Sequence, residues 1–268
     1  MGAVEVALER ARAAGRPSLV SYVTAGIRAD WIDLLAAMIE AGADAVEVGL
    51  PFSDPMLDGP VIQQASQAAI GRGAHTDSIL AELARAGPRL EEAGTGRVPL
   101  IAMSYASHAY QRGVARYCGE LAGAGFSGTI IPDLPAAEAG EYLAAAGTAG
   151  LDATLMVTPA TPAGQIAGIA ERSRGFLYVM SVMATTGSAR ERDDDQRWAL
   201  AARVAGCSPR PVLIGFGIDS PARAAAAVRH ADGVIVASAL MRQVLDGAAP
   251  GEIGRAVRAL RTAVDAAR

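Results

Sequence analysis

The pattern that constrains the fold most is an alternation of short apolar strands with helices, repeated eight times. Most of the predicted strands are continuous apolar runs, which is typical of parallel sheets that helices cover on both faces. The strands open at Ser18, Ala45, Val98, Gly128, Ala153, Phe176, Pro211 and Gly233. A local repeat supports the alternation, because segments such as AGADAVEVG and HADGVIVAS each end a helix, turn on a small residue and enter a strand.

Eight strand–helix units in 268 residues fit one closed (β/α)₈ barrel, the TIM-barrel architecture. An open doubly wound sheet is the alternative, but its usual glycine fingerprint after the first strand is missing. Residues 3–14 have helical spacing and precede the first strand. We therefore predict an α/β protein with a single TIM-barrel domain over residues 1–268 and an extra N-terminal helix.

Charge and composition argue against several functional classes. The net charge is −4 and no large charge block occurs, so we expect no nucleic-acid partner and no membrane surface. No uncharged apolar run is long enough to span a bilayer, and the N-terminus does not resemble a signal peptide, so a cytoplasmic protein is expected. The two cysteines and three histidines lack metal-ligand spacing, so no metal site is predicted.

The chain contains no lysine, so all 24 residues counted as lysine or arginine are arginine. Schiff-base aldolase chemistry needs a lysine amine, and so does covalent attachment of pyridoxal phosphate. Both kinds of chemistry are therefore excluded.

The stretch Asp44–Pro60, which reads DAVEVGLPFSDPMLDGP, carries the strongest chemical signal. On a strand, Ala45, Glu47 and Gly49 share one face while the apolar side chains share the other. A buried carboxylate is costly unless it is paired or protonated, so Glu47 has either a structural partner or a chemical task. The small residues on either side of it are expected to leave room for something other than protein.

The loop after this strand adds two carboxylates, Asp54 and Asp58. They lie at the carboxyl end of the strand, where parallel α/β folds collect their chemistry. This position favours function over structure for the group of carboxylates around Glu47.

Two later loops resemble a phosphate cradle. Residues 215–220, GFGIDS, leave a strand and enter a helix that Ser220 can cap, with Pro221 in its first turn. The eighth strand ends in Ala237 and Ser238, again before a helix. Loops after strands seven and eight are the usual phosphate position of a TIM barrel, so we predict phosphate binding there.

The segments AGADAVEVGLPFSDPMLDGPVIQ and GFGIDSP resemble the α-subunit family of tryptophan synthase, and the similarity runs from about Ser18 to Leu245. The resemblance implies a lyase that cleaves indole-3-glycerol phosphate, without a cofactor, to indole and glyceraldehyde 3-phosphate. It also implies a partner, the tryptophan synthase β-type subunit, in an α2β2 tetramer.

The resemblance further implies a set of site residues. The catalytic pair is Glu47 and Asp58. The substrate-binding residues are Tyr22, Tyr105, Tyr178, Thr186, Gly187, Phe216, Gly217, Ala237 and Ser238. The residues that face the partner are Asp54, Ser107 and Pro135.

The residue types suit this reaction. Separating indole from the glycerol chain requires a proton on the departing ring carbon and removal of a proton from a side-chain hydroxyl. A carboxyl group in a tight apolar slot can carry that proton, because desolvation raises its pKa towards neutrality. A second, better solvated carboxylate can hold the indole N–H as positive charge develops. Glu47 fits the first role and Asp58 the second.

The chain departs from the family pattern at Ile27, at Ser107 and His108, and at Ala184 and Ala237. These departures leave open a stand-alone, indole-producing lyase with an altered partner or substrate. A weakly catalytic barrel that mainly activates a β-type partner is also open, although the intact carboxylate pair argues against it. A phosphosugar isomerase on the same fold is disfavoured by the PFSDP and DGP segments.

Overall fold

Eight parallel strands close into a barrel in the computed structural model, which describes residues 1–94, 96–180 and 194–267. Each strand pairs with the next along the chain, and the eighth pairs with the first. The strands are β1 (Ser18–Thr24), β2 (Ala45–Gly49), β3 (Leu100–Met103), β4 (Gly128–Ile130), β5 (Asp152–Val157), β6 (Leu177–Met180), β7 (Val212–Gly215) and β8 (Gly233–Val236). The predicted (β/α)₈ barrel is confirmed.

Helices surround the barrel and follow the strands. They are α1 (Ala3–Ala13), α2 (Trp31–Glu40), α3 (Pro60–Gly71), α4 (Thr76–Ala93), α5 (Ala106–Arg112), α6 (Val114–Gly123), α7 (Gly140–Thr148), α8 (Ile166–Arg172), α9 (Asp194–Ala205), α10 (Pro221–Ala227), α11 (Ser238–Leu245) and α12 (Pro250–Asp265). The sequence does not indicate α5, because the helix has seven residues and buries only Ala109. Among the described residues, no helix is long and apolar enough to cross a membrane.

The core has two layers, as the alternation on the strands predicts. Side chains that point outward, such as Val46 and Val48, pack between the strands and the helices. Side chains that point inward, such as Ala45 and Ile101, fill the barrel together with Val4 and Leu8 of α1. The predicted N-terminal helix therefore closes the end of the barrel where the strands begin, which leaves the opposite end for a site.

Helix α1 is held in this position by a carboxylate from the middle of the chain. Its N-cap residue is Gly2, which has no side chain to satisfy the first backbone N–H groups. Asp152, the first residue of β5, accepts a hydrogen bond from the Glu5 amide at 3.1 Å and is buried. A methyl group at Gly2 would overlap the Asp152 carboxyl at 2.3–2.4 Å. Gly2 and Asp152 together dock the helix on the barrel.

We expect Asp152→Ala to loosen α1, because the first backbone N–H groups of the helix lose this acceptor. The free energy of unfolding should fall by about 1–2 kcal/mol, the usual effect of leaving buried donors unpaired. Urea unfolding and hydrogen exchange of residues 3–13 measure both effects. Asp77→Ala is a matched control, since the Asp77 side chain is 68% exposed in its ion pair with Arg112. Unchanged exchange in α1 of the Asp152 variant would contradict this role.

Candidate active site

Glu47 lies in the middle of β2 and points into the barrel, beside Tyr22 of β1 in the strand register. The residue is 4% exposed, and its Oε2 atom has no hydrogen-bond partner among the described residues. Burial raises the pKa of the Glu47 carboxyl to about 8, and the nearby negative charge of Asp58 adds to the rise. The carboxyl is therefore mainly protonated at neutral pH.

The space beside Glu47 is filled differently from the sequence prediction. The expectation that Gly49 leaves room for a ligand is wrong, because a methyl group there would lie 1.9 Å from the Tyr22 hydroxyl oxygen. Gly215 of β7 plays the same part on the other side, where a methyl group would lie 2.0 Å from the Tyr178 hydroxyl oxygen. Each glycine makes room for a tyrosine, and the two tyrosines line the inside of the barrel.

Tyr22 and Tyr178 belong to the same electrostatic environment as the carboxyl pair. Burial raises the pKa of both phenols well above the usual value, and the charges of Asp58 and Glu47 raise it further. The Tyr22 hydroxyl accepts a hydrogen bond from the Thr24 hydroxyl at 3.3 Å. Both tyrosines therefore remain neutral and contribute an apolar wall with a polar tip.

Asp58 lies on the loop after β2, close to the open end of the barrel. It is 6% exposed, yet it keeps partners, since the Tyr105 hydroxyl donates a hydrogen bond to its Oδ2 atom at 3.1 Å. The same hydroxyl accepts a hydrogen bond from the Leu57 amide at 3.1 Å, and Gln63 donates to the Asp58 carbonyl at 2.9 Å. These contacts fix both the side chain and the backbone of the loop.

The two carboxyl groups differ in proton affinity for a clear physical reason. Burial raises the pKa of Asp58 to about 6, and the hydrogen bond from Tyr105 opposes that rise. Glu47 has no such donor within the described residues, so its pKa is higher. Between pH 6 and pH 8, Glu47 holds its proton while Asp58 is mainly ionised. The site thus combines an acid and an anion.

Two aromatic side chains near the site were missed by the sequence analysis. Phe52 stacks on Tyr105 with ring centroids 4.9 Å apart, and His108 meets the edge of Phe52 at 5.2 Å. Phe52 comes from the PFSDP segment and His108 from α5, which was not predicted. The PFSDP segment marks the loop as a candidate site in the sequence. The contact of Phe52 with Tyr105 and His108 could not be predicted without the strand order.

The loops after β7 and β8 lie at the same end of the barrel. Phe216 adopts φ +71°, which is rare for a residue other than glycine, and its ring meets the Tyr178 ring at 6.2 Å. Gly217 follows with φ +76°, and Ser220 caps α10 by accepting a hydrogen bond from the Arg223 amide, as predicted. Ala237 has φ −113°, so an alanine fits here without left-handed backbone strain. Ser238 is the first residue of α11.

The residues expected to face a partner lie on the outer rim of this end. Asp54 and Pro135 are exposed, on the loops after β2 and β4. Ser107 lies in the first turn of α5, and its hydroxyl oxygen is buried. The Asp133 carboxylate accepts a hydrogen bond from the Ala106 amide at 2.9 Å, so two of these loops are joined.

The structure thus brings Glu47, Asp58, Tyr22, Tyr105 and Tyr178 together. The predicted residues Thr186 and Gly187, and also Ala184, lie outside the described residues. Within the described residues, no cluster of three histidine, cysteine or acidic side chains is arranged to hold a metal ion.

Comparison with known proteins points to one family. The family model described as "Tryptophan synthase alpha chain" matches residues 8–265. The tryptophan synthase alpha chain of Roseiflexus castenholzii is 40% identical over 259 residues, which cover 94% of this chain and 95% of that protein.

Solved structures agree. Tryptophan synthase subunit alpha of Legionella pneumophila superposes with a TM-score of 0.88 at 29% identity, covering 99% of each chain. A chain of Mycobacterium tuberculosis tryptophan synthase superposes with a TM-score of 0.86 at 32% identity, covering 98% of each chain. The resemblance seen in the sequence is confirmed. The chain belongs to the tryptophan synthase alpha chain family, which comprises lyases that cleave indole-3-glycerol phosphate to indole and glyceraldehyde 3-phosphate.

Proposed function

We propose that Glu47 carries the proton in this cleavage and that Asp58 holds the indole N–H. The observation that supports these roles most directly is the opposite protonation of the two carboxyl groups near neutral pH. A protonated carboxyl can act as a general acid, and a neighbouring carboxylate can stabilise positive charge.

The reaction balances with these two groups alone. Protonated Glu47 gives its proton to the ring carbon that bears the glycerol chain, which places positive charge on the ring and its N–H. Asp58 accepts a hydrogen bond from that N–H and stabilises the charge. The carbon–carbon bond then breaks, its electron pair restores the aromatic ring, and the Glu47 carboxylate takes the proton of the adjacent hydroxyl. Glu47 ends in the protonated form in which it began.

The surrounding side chains support this assignment. Tyr22, Tyr105, Tyr178 and Phe216 provide flat surfaces around the two carboxyl groups, which suits a planar indole ring. The loops after β7 and β8 supply Gly217 and the start of α11 at Ser238 for the substrate phosphate. Ala237 keeps its backbone N–H, so it remains able to contribute a hydrogen bond to a phosphate oxygen.

We further propose that the outer rim binds a β-type subunit. The relatives are named alpha chains or subunit alpha, which describes one part of a larger enzyme. The rim offers the exposed carboxylate of Asp54, the exposed Pro135, and Met56, which is 72% exposed. Methionine is enriched at protein–protein interfaces, which fits its position on this rim.

Replacing Glu47 tests the proton-carrying role. Glu47→Gln should lower turnover of indole-3-glycerol phosphate by about 10²–10⁴, since an amide cannot transfer the proton. Indole release by the purified chain measures the effect. Glu138→Gln, on an exposed glutamate, is the control. Near-wild-type indole release by the Glu47 variant would remove this residue from the chemistry.

The same substitution should change stability in a pH-dependent way. The unfolded chain releases the Glu47 proton near pH 4.5, whereas the folded chain keeps it to about pH 8. Wild-type stability therefore falls as pH rises through this window. Glutamine does not titrate, so Glu47→Gln should be more stable than wild type by about 1–3 kcal/mol at pH 7 and equal to it below about pH 4. Urea unfolding at several pH values checks both limits.

The pH dependence of cleavage should be bell-shaped. Activity requires ionised Asp58 and protonated Glu47, so kcat/KM should fall below about pH 6 and above about pH 8. Tyr105→Phe should move the lower limb to higher pH, because it removes the donor that stabilises the Asp58 carboxylate. A profile that stays flat from pH 5 to pH 9 would be incompatible with the assigned pair.

The two aspartates of one loop should have separable effects. Asp58→Ala should abolish cleavage with or without a β-type subunit, because the ring charge loses its counter-ion. Asp54→Ala should leave the isolated chain active and reduce only the stimulation by the subunit, since Asp54 is exposed on the rim. Rates of indole release in both conditions separate the roles. If Asp54→Ala alone inactivates the isolated chain, the division is wrong.

A further inference from the structure

Three rings join the loop after β2 to helix α5. Phe52 lies nearly parallel to Tyr105, with an interplanar angle of 20° and centroids 4.9 Å apart. The His108 ring meets the Phe52 ring at an interplanar angle of 85°, with centroids 5.2 Å apart. Tyr105 is the N-cap residue of α5 and His108 lies three positions later, so one turn of helix contacts Phe52 with both rings.

The helix that carries these rings is itself fixed at both ends. At its start, the Ala106 amide donates to the Asp133 carboxylate at 2.9 Å. At its end, the Arg112 guanidinium pairs with Asp77 at 2.7 Å and with Glu120 at 2.9 Å. The backbone of Tyr105 is therefore held in place. Only its side chain can still rotate, which changes the orientation of the ring.

The orientation of that ring decides whether Asp58 keeps its hydrogen bond. The Tyr105 hydroxyl must lie 3.1 Å from Asp58 Oδ2 and 3.1 Å from the Leu57 amide at the same time. Phe52 packs against one face of the ring, and His108 packs against Phe52. His108 Nδ1 is buried without a hydrogen-bond partner among the described residues, and the imidazole ring packs against the edge of Phe52.

We propose that Phe52 and His108 are positioning residues, which hold the Tyr105 ring so that its hydroxyl donates to the Asp58 carboxylate. The proposal rests on the proposed function, in which Asp58 must be ionised to hold the indole N–H. Phe52 and His108 do not touch the reacting atoms. Their packing at the rim of the barrel would instead affect the ionisation of Asp58 inside it.

The charged neighbourhood determines the sign of the effect. Asp58 is faced by Glu47 of β2, Tyr22 of β1, Tyr178 of β6 and Tyr105. Of these groups, Tyr105 makes the hydrogen bond that lowers the Asp58 pKa. If the Tyr105 ring turns away, the effect of burial is no longer opposed, so Asp58 binds its proton more tightly.

The charges around His108 come from two other elements. Burial and the cation of Arg112 lower the pKa of His108, while the carboxylate of Asp133 acts in the opposite direction. Burial therefore favours the uncharged imidazole, whose ring meets the edge of Phe52.

The experiment compares Phe52→Leu, His108→Leu and the conservative Phe52→Tyr, with Tyr110→Leu as the matched control. Tyr110 lies on the same helix but is 48% exposed. Protein labelled with ¹³C at the aspartate carboxyl carbons reports the titration of Asp58 directly, and Asp58→Asn assigns its signal. Indole release between pH 5 and pH 9 gives the lower limb of kcat/KM in parallel.

In Phe52→Leu and His108→Leu, the Asp58 titration and the lower limb should both move up by about 0.5–1 pH unit, the size of one lost hydrogen bond to a carboxylate. At pH 6 this corresponds to a loss in kcat/KM of about twofold to fivefold. Phe52→Tyr should keep the wild-type titration, because it retains a stacked ring, and so should Tyr110→Leu. In a Tyr105→Phe background, Phe52→Leu should cause no further shift.

Two results would overturn the proposal. The first is a wild-type Asp58 titration in the folded leucine variants. His108→Leu decides the matter alone if Phe52→Leu does not fold, because it removes only the edge contact. The second is a shift that persists in full when Tyr105 is already phenylalanine. A shifted titration with unchanged indole release would support the positioning role and refute the proposed catalytic role of Asp58.

Discussion

Exclusion of water from the barrel interior is the constraint on which the site depends. Helix α1 seals one end with Val4 and Leu8, and the inward side chains fill the space above it. Glu47 therefore sits in surroundings that offer its Oε2 atom no hydrogen-bond partner within the described residues. In water this carboxyl would be ionised at neutral pH, but here desolvation keeps it protonated. Exclusion of water therefore both stabilises the core and keeps Glu47 protonated.

The shape of the site is set by pairs of residues on neighbouring strands. Tyr22 occupies the space left by Gly49, and Tyr178 occupies the space left by Gly215. Each tyrosine is buried and neutral, so the walls around the carboxyl pair are rigid and apolar. A larger residue at either glycine would displace an aromatic wall rather than fill an empty pocket.

The fold could be predicted from sequence because burial on both faces leaves a local signature in every strand. Glu47 and Asp58 could be named as candidates because a carboxylate between small residues and a Pro/Gly-rich loop at a strand end are also local signals. The contacts of Phe52 and His108 could not, since they depend on how two loops meet above the barrel. Gly49 was misread for a related reason: its small size serves Tyr22 on another strand, and only the register of β1 and β2 reveals that.

The docking of α1 has a consequence for how the chain reaches its final form during synthesis. The helix is made before its partner, because the carboxylate that caps it belongs to Asp152, which is 147 positions after Glu5 in the chain. At the usual elongation rate of roughly 5–20 residues per second, the helix waits about 7–30 s for its acceptor. During this time its apolar face, with Val4 and Leu8, has no barrel to cover it. The helix is thus made well before the residue that fastens it, and the nascent chain must keep it available until β5 has emerged.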